Sequence, residues 1–223
     1  MSRLAVYFAP RPGAFADRAA RWLGWDAETG RPLPQTAPPG IADPAAITAA
    51  PARYGFHGTL RAPFRPAEGL TAEAAGEAVA ALAARLAPVV CEGLRIEVLD
   101  GFLALTPVGC ADALARFAAA VVEGTDALRA PLTEAEIARR RPESLSPRQK
   151  ALLHRWGYPF VMEEFRFHLT LTDRLDDPAP VLAALAAHFA PVLPRPFAIE
   201  DLCLFGEDAG GRFHLLHRYA LTG

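Results

Sequence analysis

One five-residue pattern, Phe-His-x-Thr-Leu, occurs twice, far apart: Phe56-His57-Gly58-Thr59-Leu60 and Phe167-His168-Leu169-Thr170-Leu171, the second beginning 111 residues after the first. In a β-strand alternate side chains face the same side. Each phrase therefore turns one imidazole and one hydroxyl to a common face and sends its apolar residues to a core on the other. The segments after each phrase also repeat. A helix over 71–86, with Thr71 as its cap, leads to strands over 94–99 and 102–106 around an Asp100-Gly101 hairpin turn. A helix over 180–189 leads to strands over 197–205 and 213–221 around Gly210-Gly211. His57 precedes Asp100 by 43 residues and His168 precedes Gly210 by 42. Motif, helix and hairpin recur in phase, which indicates an internal duplication.

The remaining segments fit that frame. A first strand is expected over 4–9, a short helix over 15–23 and an irregular Pro/Gly-rich stretch over 25–44; the histidine strands span 53–63 and 165–172. Each half reads β-α-β-α-β. This predicts an α+β fold: a duplicated bilobal domain over 1–223, two mainly antiparallel sheets facing a central groove with helices outside. Lobe 1 is expected over 1–101 and lobe 2 over 102–223, with a helical insertion at 125–160. The insertion starts helices at Thr133, with Glu136 completing a capping box, and at Ser146-Pro147.

Composition narrows the class. The net charge is -2, so no global field favours nucleic acid or an anionic membrane. Every apolar run is interrupted before it could span a bilayer, and the first ten residues are too short in apolar content for a signal peptide. Cys91, Cys110 and Cys203 lack CxxC spacing and read as free buried thiols of a reducing compartment. A cytoplasmic protein is expected. No cofactor is called for, and no acidic cluster accompanies the histidines to make them metal ligands. Oligomeric state is left open.

The paired phrases are equipment for proton transfer at a phosphate. Histidine titrates near ~6.5, so a neutral imidazole can take a proton from an attacking hydroxyl while a protonated one gives a proton to the departing oxygen. The hydroxyls of Thr59 and Thr170 can donate to the non-bridging oxygens as charge grows there. His57, Thr59, His168 and Thr170 are the candidate catalytic set. Strand parity adds Arg53, Gly55 and Arg61 to the His57 face, and Glu164, Arg166 and Thr172 to the His168 face. Arg61 and Arg166 could bind phosphate bidentately. Tyr7 and Tyr158 are candidate substrate contacts from the first strand and from a Gly-Tyr-Pro turn. Arginines 139, 140, 141, 148 and 155 could close over a second phosphate, although a charge run on a helix is usually a solvated face. His154, His188, His214 and His217 lack a threonine partner and receive no role.

With these motifs, His57-Gly58-Thr59-Leu60 and His168-Leu169-Thr170-Leu171, the whole chain resembles the two-histidine (2H) phosphoesterase superfamily. The resemblance implies a duplicated α+β fold and metal-independent hydrolysis of cyclic or 2′-5′ phosphodiesters, or the reverse ligation. Gly58 departs from the pattern, where an apolar side chain is commoner, and implies looser strand packing. Leu4-Ala5-Val6-Tyr7-Phe8-Ala9-Pro10, Arg61-Ala62-Pro63-Phe64, Leu145-Ser146-Pro147-Arg148-Gln149 and the run from Trp156 to His168 are similar to a bacterial branch found in phosphonate-utilisation operons. That likeness implies a small cyclic phosphate substrate such as phosphoribosyl cyclic phosphate. Two alternatives stay open: an RNA-end 2′,3′-cyclic phosphodiesterase or 2′-5′ RNA ligase, and a non-catalytic phosphate- or nucleotide-binding protein.

Overall fold

A computed structural model describes all 223 residues. The chain opens with β1 (Leu4–Phe8), α1 (Ala14–Leu23), the two-residue strands β2 (Trp25–Asp26) and β3 (Arg31–Pro32), and α2 (Ala49–Ala52). Next come β4 (Gly58–Phe64), α3 (Ala72–Ala83), β5 (Val89–Cys91), β6 (Gly93–Leu99), β7 (Phe102–Val108) and α4 (Ala111–Gly124). The insertion carries α5 (Glu134–Ala138) and α6 (Pro147–Trp156). The last part is β8 (Leu169–Arg174), α7 (Ala179–Phe189), β9 (Phe197–Ile199), β10 (Asp201–Glu207) and β11 (Phe213–Ala220). The fold is α+β and antiparallel, as its repeated pattern predicts.

Two sheets meet at one seam. Strands run in the order β11-β10-β1-β4-β8-β7-β6, every neighbour antiparallel, and β4 joins β8 through the single residue pair Gly58 and Leu169. A four-stranded and a three-stranded sheet are thus hinged along the motif strands. Beyond the seam, β5 pairs with β9 around Val90 and Ala198. Both contacts join equivalent parts of the repeat, so a pseudo-twofold axis passes through them.

The crossing at β5 and β9 corrects the expected lobes. It places β6, from the first half, beyond β7 in the sheet of the second motif strand, and β10 and β11, from the second half, beyond β1 in the sheet of the first, so 1–101 and 102–223 are not the spatial halves. Asp100 and Gly101 both take positive φ, 48° and 89°, the two-residue turn that matches strand twist. Gly93 pairs Val108 across that hairpin. Cys91 and Cys110 stand two residues further out, and they form a disulfide with their Cα atoms 5.1 Å apart. The expectation of three free thiols fails here, and with it the thiol-based case for a reducing compartment. Cys203 alone is free and buried.

The helices cover one face. Buried residues of α1 (Trp22, Leu23), α3 (Val79, Leu82), α4 (Leu114, Phe117, Val121) and α7 (Leu185, Phe189) pack with Leu4, Val6, Leu60, Leu105, Leu169 and Leu171 in one continuous core. Each buried Leu or Phe of this kind contributes about 1.5–3 kcal/mol. The opposite face carries Tyr7, Phe205 and Phe213 in a smaller cluster and stays open as a groove. Capping boxes fix the insertion helices: Thr133 with Glu136, and Ser146 with Gln149. No helix is long and apolar enough to cross a membrane.

Candidate active site

The histidines lie one residue before their strands rather than inside them, because β4 begins at Gly58 and β8 at Leu169. Register still decides their geometry. With Gly58 opposite Leu169, antiparallel pairing sets His57 across from Thr170 and Thr59 across from His168. Leu169 belongs to the helix-side core, so the four polar side chains turn to the groove. Gly58 is no loose spot. A Cβ there would overlap the ring of Phe167, which fills the space beneath the seam.

Both imidazoles are held the same way. Nδ1 of His57 bonds the carbonyl of Gly55 at 2.8 Å, and Nδ1 of His168 bonds the carbonyl of Arg166 at 2.8 Å. A carbonyl only accepts, so each Nδ1 carries the hydrogen of the neutral ring, and Nε2 is the nitrogen able to take up a proton. Gly55, at φ 73°, supplies the left-handed turn that aims its carbonyl back at the ring. Thr59 Oγ1 lies 3.3 Å from Nε2 of His57 and can donate to it.

His57, Thr59, Thr170, Tyr7 and Tyr158 line one cavity of about 330 Å³. His168 and Arg166 line an adjoining one of about 280 Å³, and Thr59, Ala62, Phe102 and Tyr158 belong to both. Burial lowers His57 from 6.5 to about 4, against the pull of the Gly55 carbonyl, with the charge of His168 lowering it further. Burial also lowers His168, opposed by the Arg166 carbonyl. The ring of Tyr7 stacks on His57 with centroids 3.9 Å apart. Tyr7 is fully buried, and burial holds its phenol well above its usual range. Its hydroxyl is buried without a hydrogen-bond partner, an arrangement that costs about 1–3 kcal/mol until a ligand oxygen accepts from it.

Arg61 does not share the His57 face. A bulge between the Tyr7–Thr59 and Val6–Arg61 pairs inserts one residue, and strand parity reverses beyond it. Arg61 is 2% exposed, on the helix side, bonded to the Val122 carbonyl at 3.4 Å and paired with Asp126 at 3.3 Å. Burial lowers its guanidinium to about 10, with Asp126 pulling back up. Ala62 takes the cavity position instead. Parity also overlooked Arg3 and Tyr54, which line the His57 cavity together with Arg140, one of the insertion arginines expected to close over a second phosphate. Arg3 was findable, since Arg3, Ala5 and Tyr7 alternate along β1. Tyr54 and Arg140 come from a turn and an insertion, where no period applies. Of the insertion's other arginines, Arg148 pairs with Glu163, and Arg155 pairs with Asp126 at 3.1 Å and lies over the Trp156 ring. No group of three or more His, Cys, Asp or Glu side chains gathers anywhere in a metal-binding arrangement.

In sequence, the chain is 40% identical over 220 residues to a ribose 1,5-bisphosphate phosphokinase PhnN of Janthinobacterium sp. (strain Marseille), covering 95% of this chain and 49% of the relative. It is 42% identical over 219 residues to the protein of the same name from Laribacter hongkongensis (strain HLHK9), covering 96% of this chain and 50% of the relative. The chain thus spans about half the length of the curated relatives it matches. Among solved structures it is similar to TT0787 of Thermus thermophilus, at 16% identity and a TM-score of 0.47, over 99% of this chain and 98% of that one. A structure described as a phosphoesterase aligns at 19% identity and a TM-score of 0.43, over 100% of this chain and 99% of that one. Residues 59–214 match the family described as "Protein of unknown function (DUF1045)", and this chain belongs to that DUF1045 family.

Proposed function

We propose that the chain is a metal-independent cyclic phosphodiesterase acting on a small sugar phosphate. The observation that carries this reading is the seam: two imidazoles, each with Nδ1 fixed on a carbonyl and each across from the other strand's threonine, on one groove face. His57, held neutral by burial, serves as the base, and His168 as the acid. Water attacks phosphorus while Nε2 of His57 takes its proton. The ring P–O bond breaks, and Nε2–H of His168 protonates the departing sugar oxygen. Thr59, Thr170 and the unpartnered phenol of Tyr7 donate to the non-bridging oxygens. Arg166, beside His168, and Tyr158, between the two cavities, contact the substrate.

The relatives' name supports a particular sugar. This chain's only lysine, Lys150, follows Gln149, and no Gly-Lys-Ser/Thr phosphate loop occurs in it. We therefore assign the kinase named in the relatives to their other half. Hydrolysis of the 1,2-cyclic phosphate of ribose 5-phosphate, with cleavage at O2, yields ribose 1,5-bisphosphate, the compound in that name. A half that makes it joined to a half that consumes it accounts for the fusion, and fits a role in phosphonate utilisation. Phosphorus NMR of this cyclic phosphate incubated with the protein and a chelator is the test. Conversion to the bisphosphate is expected, and its persistence in both His57→Ala and His168→Ala, or its loss to the chelator alone, overturns the mechanism.

A second reading, cyclic phosphates at RNA ends, draws support from the apolar cavity beside His168. Phe102, Phe160 and Phe165 line it, with Phe160 45% exposed, and such rings can stack a base. Preference for an oligonucleotide ending in a 2′,3′-cyclic phosphate over the sugar phosphate selects it.

A further inference from the structure

The His57 cavity opens into a larger cleft of about 600 Å³, lined by seven arginines and two glutamates. Arg3, Tyr54, Arg140 and Tyr158 line both spaces, so they are continuous. In a chain of net charge -2 this is a local concentration of positive charge. Most of it is already engaged. Arg3 and Arg53 converge on Glu207, Arg61 and Arg129 on Asp126, and Arg65 on Glu136. Arg139 and Arg140 pair with no carboxylate; the guanidinium of Arg140 lies over the Tyr158 ring, 4.8 Å from its centroid.

Arg139 is exposed and Arg140 half-buried, but both line the cleft and the helix before them is anchored. The capping box of Thr133 and Glu136 fixes the start of α5, and Arg65, at the end of β4, bonds both Glu136 and the Pro131 carbonyl. At the other end Arg141 takes a left-handed φ of 47°, costly for a side-chain-bearing residue, and the chain turns there. The arginine turn is therefore tied to the strand that carries Thr59. Two guanidinium groups without a carboxylate partner line one cleft, and an anion entering it would neutralise both.

We propose that this cleft is the subsite for a second phosphate of the substrate, a terminal phosphomonoester, bound by Arg139 and Arg140 with Arg3 and Arg53 at its rim. The inference rests on the cyclic phosphodiesterase reading and adds to it the residues that hold the second phosphorus centre. Paired guanidinium groups suit such a dianion because each offers two donors to its oxygens.

The test compares the 1,2-cyclic phosphate of ribose 5-phosphate with that of ribose, in wild type and in R139Q/R140Q. In wild type kcat/KM favours the phosphorylated substrate on the order of a hundredfold. In the double variant that preference falls at least roughly tenfold. Equal kcat/KM for the two substrates in wild type, an unchanged preference in the variant, or preferred turnover of an oligonucleotide with a cyclic end overturns the subsite. Should the double variant lose its fold, the wild-type preference decides alone. Calorimetry on the H57A/H168A protein separates this inference from the reading beneath it. Tighter binding of ribose 1,5-bisphosphate than of ribose 1-phosphate, abolished by adding R139Q/R140Q, keeps the subsite even if neither cyclic substrate is opened. Equal affinities remove it.

Discussion

Tyr7 and Ala104 occupy matching places in the two halves. Tyr7 stands opposite Thr59 across β1 and β4, and Ala104 stands opposite Thr170 across β7 and β8. One half thus has a phenol ring under its histidine, and the other has a methyl group. The duplicated frame sets both imidazoles alike, Nδ1 on a carbonyl two residues earlier. The neighbours then separate them. His57 is stacked on Tyr7 and lowered to about 4; His168 has Phe102 tilted at 5.6 Å and the partly open aromatic cavity beside it. Duplication supplies two equal groups, and substitution in the layer beneath makes them unequal. An acid and a base need that inequality.

Removing either member is the strongest way to break the comparison. His57→Ala and His168→Ala should each lower kcat about 10²–10⁴-fold, and the double variant should fall far short of the product of the two, because they act as a unit. Turnover of the cyclic phosphate measures this, and a full multiplicative loss would mean independent roles. Next in size are the two residues of the seam. Leu169→Ala should cost about 2–5 kcal/mol by leaving a cavity, and Gly58→Ala about 1–3 kcal/mol by forcing Phe167 aside, both read from denaturant midpoints. Tyr7→Phe should lower kcat about tenfold with less effect on KM, since only the phenol's donation is lost; Ala104→Val should leave that donation intact.

Acidity sharpens the comparison further. Both histidines are lowered, so His57 stays neutral down to about pH 4 while His168 loses its proton below its ordinary 6.5. The kcat/KM profile should therefore peak on the acid side of roughly pH 6.5. The smallest effect is on stability. Between pH 6.5 and about 4 the unfolded chain protonates residue 57 and the folded chain does not. Stability should thus fall as pH falls through that window, by about 1 kcal/mol after allowing for solvent access, and His57→Gln should flatten the slope.

Much of this was legible in the sequence. The repeated phrase, the in-phase hairpins and the capping boxes at Thr133 and Ser146 rest on local periods and local hydrogen bonds, which a sequence displays. Arg61 was misread because one inserted residue in β4 reverses parity, and nothing local to Leu60-Arg61 marks the bulge. The disulfide was legible but overlooked: residues 91 and 110 are equidistant from the Asp100-Gly101 turn, so a regular hairpin brings them together. The crossing of the hairpins was not legible, since pairing of β5 with β9 is a long-range choice that three-residue strands do not encode.

That crossing has a consequence for how the molecule can be divided. Each motif strand shares its sheet with strands encoded in the other gene half, β6 beyond β8 and β7, and β10 and β11 beyond β4 and β1. A cut between the halves would yield two fragments with naked strand edges and one histidine of the pair each. Neither piece should fold alone, while the two produced together should reassemble, because the architecture is interlocked rather than modular.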